Sequence, residues 1–317
     1  MRILLTGLSG QVGGALFAPL AKLGAVFSPD RSQLDLSRPD GIAEVLDRLR
    51  PDLIVNPAAY TEVDRAEDER LMAFRVNAEA PGAMADWAAR RNVPLVHFST
   101  DYVFDGAGSA PWREDDVAAP LSIYGASKLA GEVAVRAAGG AHLIVRTSWV
   151  YANRGRNFML TIARLAAERK ELRIVADQFG APTSARVIAD ALAKILDRGI
   201  AEVVRLARDC DVVNISSSGQ TSWCGFAAAI VDGLRDRGIE VATERVVPIQ
   251  TEDYPTKAQR PRNSRLDPTR LGHVFGVDTP SWQEALETEL DQLADFRRAS
   301  VSQEEPMVDG TEIRQPV

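Results

Sequence analysis

The strongest constraint on this chain lies at its start. Residues 2–6 form a short apolar run, followed at once by Gly7-Leu8-Ser9-Gly10-Gln11-Val12-Gly13 and then by an amphipathic stretch ending near residue 23. A buried strand that turns through glycines into a helix lets the backbone approach a pyrophosphate. The first free N–H groups and the dipole of the helix then favour the negative charge. The three-residue spacing of Gly7, Gly10 and Gly13 departs from the usual G-x-G-x-x-G fingerprint, so the flanking strand and helix carry the reading; a plain glycine loop is the alternative.

Four more short, nearly all-apolar runs follow at 25–28, 53–57, 95–99 and 143–148, alternating with helical periodicity at 41–49, 69–91 and 123–137. Strands apolar on both sides need helices on both faces, which predicts an α/β fold: a Rossmann-type, doubly wound parallel sheet over residues 1–150. Beyond residue 150 the texture changes. Helical patterns at 157–168 and 184–197 mix with strand-like pieces at 173–176 and 212–215, and a last helix is expected at 282–296. Residues 151–298 are therefore read mainly as a smaller substrate-binding lobe, with some chain free to return to the first domain. The polar, proline-containing segment 251–268 reads as an ordered loop, and the polar tail 299–317 as disordered.

Composition narrows the classes of function. A net charge of −7 and three histidines speak against a nucleic-acid-binding surface, and no apolar run is long enough to cross a membrane. The N-terminal apolar run is too short for a secretory signal, so a cytoplasmic protein is expected. Two cysteines, Cys210 and Cys224, suggest neither a disulfide framework nor a zinc site and are read as small buried residues.

After the second strand come Asp30 and Arg31, with Asp35 further on. An acid there binds an adenosine ribose and an arginine accepts a 2′-phosphate, so the cofactor is NADPH or NADH, with Arg31 tilting the choice to NADPH. A solvated charge pair is the competing reading for Asp30. Tyr124 and Lys128 stand at i and i+4 on the 123–137 helix, where hydroxyl and ammonium can converge on one ligand. With five tyrosines and five lysines against 32 arginines, chance supplies such a pair only about 0.08 times per chain. A neighbouring cation would stabilise the phenolate of a tyrosine that is otherwise a poor acid–base group near neutrality. Thr100, at the carboxyl end of the fourth strand, is placed to orient a reacting carbonyl oxygen; a strand-end turn residue is the alternative.

Together these residues resemble the extended short-chain dehydrogenase/reductase family over residues 1–293, and within it the branch that reduces dTDP-linked keto sugars. The resemblance rests on the glycine turn, Asn56-Pro57-Ala58-Ala59-Tyr60-Thr61-Glu62-Val63-Asp64, Ser99-Thr100-Asp101-Tyr102-Val103-Phe104 and Tyr124-Gly125-Ala126-Ser127-Lys128-Leu129-Ala130-Gly131-Glu132. Arg146-Thr147-Ser148-Trp149-Val150-Tyr151, Asp177-Gln178-Phe179-Gly180-Ala181-Pro182-Thr183 and Arg260-Pro261-Arg262-Asn263-Ser264-Arg265-Leu266-Asp267 complete it. It implies reduction of the 4-keto group of dTDP-4-dehydro-L-rhamnose to dTDP-L-rhamnose. Thr100, Tyr124 and Lys128 would be catalytic: Tyr124 donates the proton, Thr100 orients the oxygen, and Lys128 binds the nicotinamide ribose and lowers the tyrosine pKa.

Cofactor contacts are implied at Gly10, Gln11, Val12, Asp35, Leu36, Ala58 and Ala59, and sugar contacts at Thr61, Val63 and Trp149. Trp149 is also readable as a core aromatic. Arg260 and Asn263, in a basic loop, could hold the diphosphate or simply be solvated. His97 is expected to bond within the strand layer. Some members of the family dimerise through a metal held by glutamates, but Ala15 and Arg186 stand at two of those positions. No metal is therefore expected, and a homodimer is left open. The rival readings are an epimerase or reductase of another 4-keto-6-deoxy sugar, a dehydratase, which would resemble Thr-Asp-Glu where this chain has Thr100-Asp101-Tyr102, and a non-catalytic NADP-binding regulatory subunit.

Overall fold

A computed structural model describes residues 1–303. In its first half, β1 (Arg2–Leu5), α1 (Gln11–Leu23), β2 (Ala25–Phe27), α2 (Ile42–Leu49) and β3 (Leu53–Asn56) follow one another. Then come α3 (Val63–Ala66), α4 (Arg70–Phe74), α5 (Ala80–Arg91), β4 (Leu95–Thr100), α6 (Ile123–Ala137) and β5 (His142–Thr147). The second half holds β6 (Val150–Tyr151), α7 (Phe158–Glu168), β7 (Glu171–Val175), β8 (Phe179–Gly180), β9 (Thr183–Ser184), α8 (Ala185–Asp197) and α9 (Ile200–Ala207). β10 (Val212–Asn214), β11 (Thr221–Ser222), α10 (Trp223–Asp236), β12 (Arg245–Ile249), α11 (Thr269–Phe275) and α12 (Trp282–Gln303) complete it.

Six strands make one parallel sheet in the order β10-β5-β4-β3-β1-β2. β3 and β4 are buried along their whole length, which explains their mainly apolar character; Asn56 and His97, a polar residue from each, bond to each other. Leu16 and Leu20 of α1, Ile188 and Leu192 of α8, Val203 of α9 and Phe275 of α11 cover one face. Ile42 and Leu46 of α2, Met84 and Trp87 of α5 and Val135 of α6 cover the other. The strand order reverses between β1 and β3, the position where open α/β sheets bind ligands at their carboxyl edge.

The doubly wound sheet is thus as the sequence predicts, and part of the chain beyond residue 150 belongs to it. β10 extends the sheet beyond β5, and α8, α9 and α11 belong to its covering layer. Without them β5 would be an exposed edge and α1 would lack a neighbour. The second lobe has its own core, in which Met159 and Ile162 of α7 meet Phe226 and Ile230 of α10 and Leu286 and Leu290 of α12. There β7 and β12 pair in parallel.

The 69–91 segment, read as one helix, is interrupted by a π-helical turn at Arg75–Glu79. Pro81 opens α5 and has no N–H to give the carbonyl four residues earlier, that of Asn77, so the regular ladder fails at this point. α12 runs on to Gln303, into the segment expected to be disordered; the rest of that segment, 304–317, lies outside the described residues. Cys210 and Cys224 are half-buried, not buried. Among the described residues no helix is long and apolar enough to cross a membrane.

Candidate active site

The glycine turn is as tight as its sequence suggests. Gly7 adopts a left-handed backbone (φ +62°), and a side chain on it would press against Ala58 at 3.0 Å. A Cβ on Gly13 would lie 2.6 Å from the Gly7 carbonyl carbon and nearer still to its oxygen. The Gly10 N–H closes the turn onto that same oxygen at 2.9 Å. α1 then begins with no side-chain cap and no acid in its first turn, so its leading N–H groups keep their attraction for an anion. Thr6 Oγ1 donates to Asn56 Oδ1 (2.6 Å) and accepts from the Ala58 N–H (3.2 Å), which holds the loop after β3 against the turn.

Gly7, Asp30, Arg31, Asp35, Leu36, Ala58 and Ala59 line one cleft of about 560 Å³ at the switch between β1 and β3. Asp30 accepts from the Ser32 N–H, the Ser32 hydroxyl and the Gln33 N–H, which hold its carboxyl below the usual range. Asp35 is held likewise by the hydroxyl and N–H of Ser37. Both acids therefore shape turns. Arg31 stays largely exposed, 3.7 Å from Asp35, and is the cation at this rim. Val12 packs its side chain against the core, leaving only its backbone to the turn. Gln11 lines a second cleft, with Arg154 and Arg186; Arg186 is paired with the buried Glu289 at 3.2 Å.

The three residues read as catalytic come together where β4 ends and α6 begins. Ser122 caps α6 through the Gly125 N–H, so Tyr124 lies in the first turn and Lys128 one turn on. Tyr124 lies beside Thr100, whose hydroxyl donates to Asp101 Oδ1 at 3.1 Å and accepts from the Tyr102 N–H at 3.3 Å. Burial pushes the Tyr124 hydroxyl up to about 12, the neighbouring Thr100 hydroxyl opposes this, and the Asp101 charge adds to it. Lys128, almost wholly buried, donates to the Phe98 carbonyl at 2.5 Å. Burial lowers its pKa to about 8 against the pull of Glu132, one turn further along. The resemblance implies that Lys128 lowers the tyrosine pKa; burial instead raises it.

Glu132 is ionised despite its burial because Arg146 meets it with two bonds, at 2.9 and 2.7 Å. His97 accepts from the Asn56 amide (3.2 Å), and burial followed by the Lys128 charge keeps it neutral, so it acts within the strand layer as read.

The residues expected to meet the sugar nucleotide are less uniformly placed. Thr61 is exposed and Val63 half-buried at the start of α3. Arg260 reaches this region, but its guanidinium is engaged by Asp64 at 2.6 Å, and neighbouring Lys257 pairs with Asp68. Asn263 is buried; its amide donates to the Ala110 carbonyl and accepts from Arg265, an occupation that weighs against a direct substrate role. Trp149 is buried in a left-handed conformation (φ 48°), stacked on Trp223 at 3.6 Å. A left-handed non-glycine residue is uncommon, and packing of this quality is what sustains it.

Two residues were passed over in the sequence. Asp101, beside Thr100, is driven by burial up to about 7, with the neighbouring Ser264 and the bond from Thr100 opposing; its other oxygen has no partner. The Thr-Asp pair at a strand end was the available signal. Asn77 is fully buried in the π-turn, and nothing in its local sequence marks it.

A parallel sheet with a phosphate-type turn at its switch point, and a tyrosine and lysine one turn apart beside a strand-end threonine, define a short-chain dehydrogenase/reductase. The match extends further. A family model described as the RmlD substrate binding domain covers residues 1–295. The chain is 48% identical to the dTDP-4-dehydrorhamnose reductase of Burkholderia thailandensis over 288 residues, which is 90% of this chain and 97% of that one. It is 42% identical to the enzyme of the same name from Escherichia coli over 301 residues, 92% of this chain and 98% of the other. It also superposes on a crystal structure of the Bacillus anthracis dTDP-4-dehydrorhamnose reductase in complex with NADP, with a TM-score of 0.82 and 34% identity, covering 92% and 99% of the two chains. The chain belongs to the dTDP-4-dehydrorhamnose reductase family.

Proposed function

We propose that the protein is an NADPH-dependent reductase that converts the 4-keto group of dTDP-4-dehydro-L-rhamnose to the alcohol of dTDP-L-rhamnose. The convergence of Thr100, Tyr124 and Lys128 beside the glycine turn carries this reading. The cleft fits a dinucleotide. Its turn excludes side chains at Gly7 and Gly13, the start of α1 presents uncapped N–H groups, and Asp30 and Arg31 stand at the far rim. Arg31, an exposed cation there, supports NADPH over NADH, since a 2′-phosphate adds negative charge at that end. When bound, the nicotinamide supplies hydride to C4 of the sugar.

The protein's part is to manage the proton. A carbonyl receiving hydride becomes an alkoxide far more basic than a phenol, so the useful form of Tyr124 is the neutral one. Burial, which raises the hydroxyl to about 12, favours that form. Thr100, beside Tyr124, is placed to orient the carbonyl oxygen toward the phenol. The Lys128 ammonium, fixed by the Phe98 carbonyl, supplies the positive charge against which a phenolate can form as the proton leaves. A buried, dry environment strengthens that attraction.

The test is loss of NADPH absorbance with freshly generated dTDP-4-dehydro-L-rhamnose, run in parallel with NADH and followed by identification of the product. Oxidation with dTDP-L-rhamnose appearing is the expected result. Cofactor binding without consumption would sink the reductase reading and leave the regulatory-subunit alternative.

A further inference from the structure

We infer that Trp223 is a positioning residue that fixes the Trp149 indole at the sugar end of the site, an inference that rests on the reductase reading and on Trp149 meeting the sugar. Trp149 follows β5 by two residues, and in the sheet Thr147 pairs with Thr100, so Trp149 leaves the sheet beside the strand end that carries Thr100. Its backbone is set by neighbouring chain. The φ angle is 48°, the carbonyl accepts from the Thr183 N–H at 3.2 Å, and the next two residues pair with Thr183 and Ser184. That fixes where the side chain starts but leaves its two torsions free to turn the ring. Among the described residues none accepts from the Trp149 indole N–H, so no hydrogen bond within the chain holds the ring.

Packing therefore sets the direction of the indole, and that packing comes from the second lobe. Trp223 stacks on it with centroids 3.6 Å apart and planes 10° apart. Gly180 closes on the five-membered ring from a different side. A Cβ there would stand 2.5, 2.8 and 2.9 Å from Cε2, Cδ2 and Nε1, and would reach these before any atom of Trp223. The two jaws belong to one unit: Gly180 of β8 pairs with Thr221 of β11, Ser222 caps α10 through the Gly225 N–H, and Trp223 is the first residue of that helix. Trp223 is backed in turn by Phe158 at the start of α7, 4.6 Å away, against the core that holds Phe226 and Ile230. Two nearly parallel indoles share a large flat contact, and a smaller side chain at 223 leaves one face of Trp149 without support. Turning the ring off this stack swings its indole N–H, the one polar group of the side chain, away from its bearing. Recognition of the sugar then suffers, while recognition of the nucleotide diphosphate does not.

The experiment compares Trp223→Ala, Trp223→Phe, Gly180→Ala, Trp149→Leu and the double variant of Trp149→Leu with Trp223→Ala, all in the full chain with NADP⁺ present. Calorimetry reads the dissociation constants of dTDP-L-rhamnose and of dTDP, far-ultraviolet circular dichroism reads the exciton couplet of the stacked indoles, and thermal melts read stability. Trp223→Ala should abolish the couplet and weaken dTDP-L-rhamnose by about tenfold, the upper end of what one aromatic pair contributes, with dTDP unchanged. Trp223→Phe keeps a stacking ring and should recover most of the affinity. Gly180→Ala, whose methyl pushes the indole from the other jaw, should show the same selective loss. In the double variant Trp223→Ala should add nothing to the loss caused by Trp149→Leu. A merely structural tryptophan would lower the melting temperature and weaken both ligands alike or neither. That result, or additive losses in the double variant, overturns the inference. Where Trp223→Ala does not fold, Gly180→Ala decides: a loss confined to dTDP-L-rhamnose supports the positioning role, and unchanged affinity for it overturns that role. A wild-type chain that binds dTDP-L-rhamnose but does not consume NADPH with the keto sugar fails the reductase reading alone, and the affinity comparison still decides on Trp223. A wild-type chain that does not bind dTDP-L-rhamnose overturns both.

Discussion

Alanine at Gly13 is the sharpest available perturbation of the cofactor turn. The new Cβ would stand 2.6 Å from the Gly7 carbonyl carbon, with the oxygen closer, whereas ordinary contact begins near 3.4 Å. Neither partner can rotate away. Both belong to backbone, one to the turn that Thr6 and Ala58 pin in place and the other to the first turn of α1. The turn and helix must therefore part by about an ångström. Displacements of that size in a positioned site cost roughly 100-fold, and overpacking adds about 1–3 kcal/mol of instability. The control is Gly14→Ala, one residue on, whose Cβ first meets the exposed, flexible end of Arg154 and which removes a glycine from a helix interior. NADPH titration by fluorescence, with thermal melts alongside, should show binding weakened by about 100-fold in Gly13→Ala and near wild type in Gly14→Ala. A Gly13→Ala protein that binds NADPH as tightly as the parent would refute the argument that this turn holds the pyrophosphate.

Tyr124→Phe should lower kcat by about 10²–10⁴ while leaving NADPH binding intact; turnover near the parent rate would remove Tyr124 as proton donor. Activity should fall as pH rises through about 8, because the Lys128 ammonium is present below that value and lost above it, while Tyr124 at about 12 stays protonated throughout. A kcat profile from pH 6 to 10 that stays flat across this window would dissociate turnover from the lysine charge. Arg31→Ala should narrow the preference for NADPH over NADH, and an unchanged ratio of Michaelis constants would exclude Arg31 as the 2′-phosphate ligand. Arg146→Met leaves the buried Glu132 with only the longer contact to Arg136 at 3.4 Å, so the melting temperature should drop by an amount corresponding to about 3 kcal/mol.

What could be read in advance was set locally. The bounds of α1 follow from Gly10 and the amphipathic repeat, and those of α6 from the Ser122 cap, so both helices lie where the periodicity puts them. Tyr124 and Lys128 converge because four residues make one turn, whatever else the chain does. The remainder depends on contacts between distant segments. The π-turn at Arg75–Glu79 reflects Pro81 and the press of Gly131 from another helix. The burial that raises Asp101 to about 7 and the Phe98 carbonyl that holds Lys128 are tertiary facts with no local signature. Arg260 and Asn263 make the same point from the other direction: their chemistry suits a diphosphate, but Asp64 and Ala110, distant in sequence, already engage them. The strand at Val212–Asn214 was visible as an apolar run, yet only the assembled sheet shows that it lies beside β5.

That strand has a consequence for how such a protein can be altered. Because the chain leaves the sheet after β5, comes back for α8, α9 and β10, departs again for α10 and β12, and returns once more for α11, the second lobe is stitched to the sheet and not appended to it. A gene cut at residue 150 would encode a sheet with an open edge at β5 and an uncovered α1, a template for aggregation in place of a usable half. Exchanging the lobe with that of another enzyme would require matched joins at several points simultaneously. New sugar specificity in this chain is therefore to be sought by changing side chains in the loops that meet at the cleft, a route open to stepwise selection, and not by recombining modules.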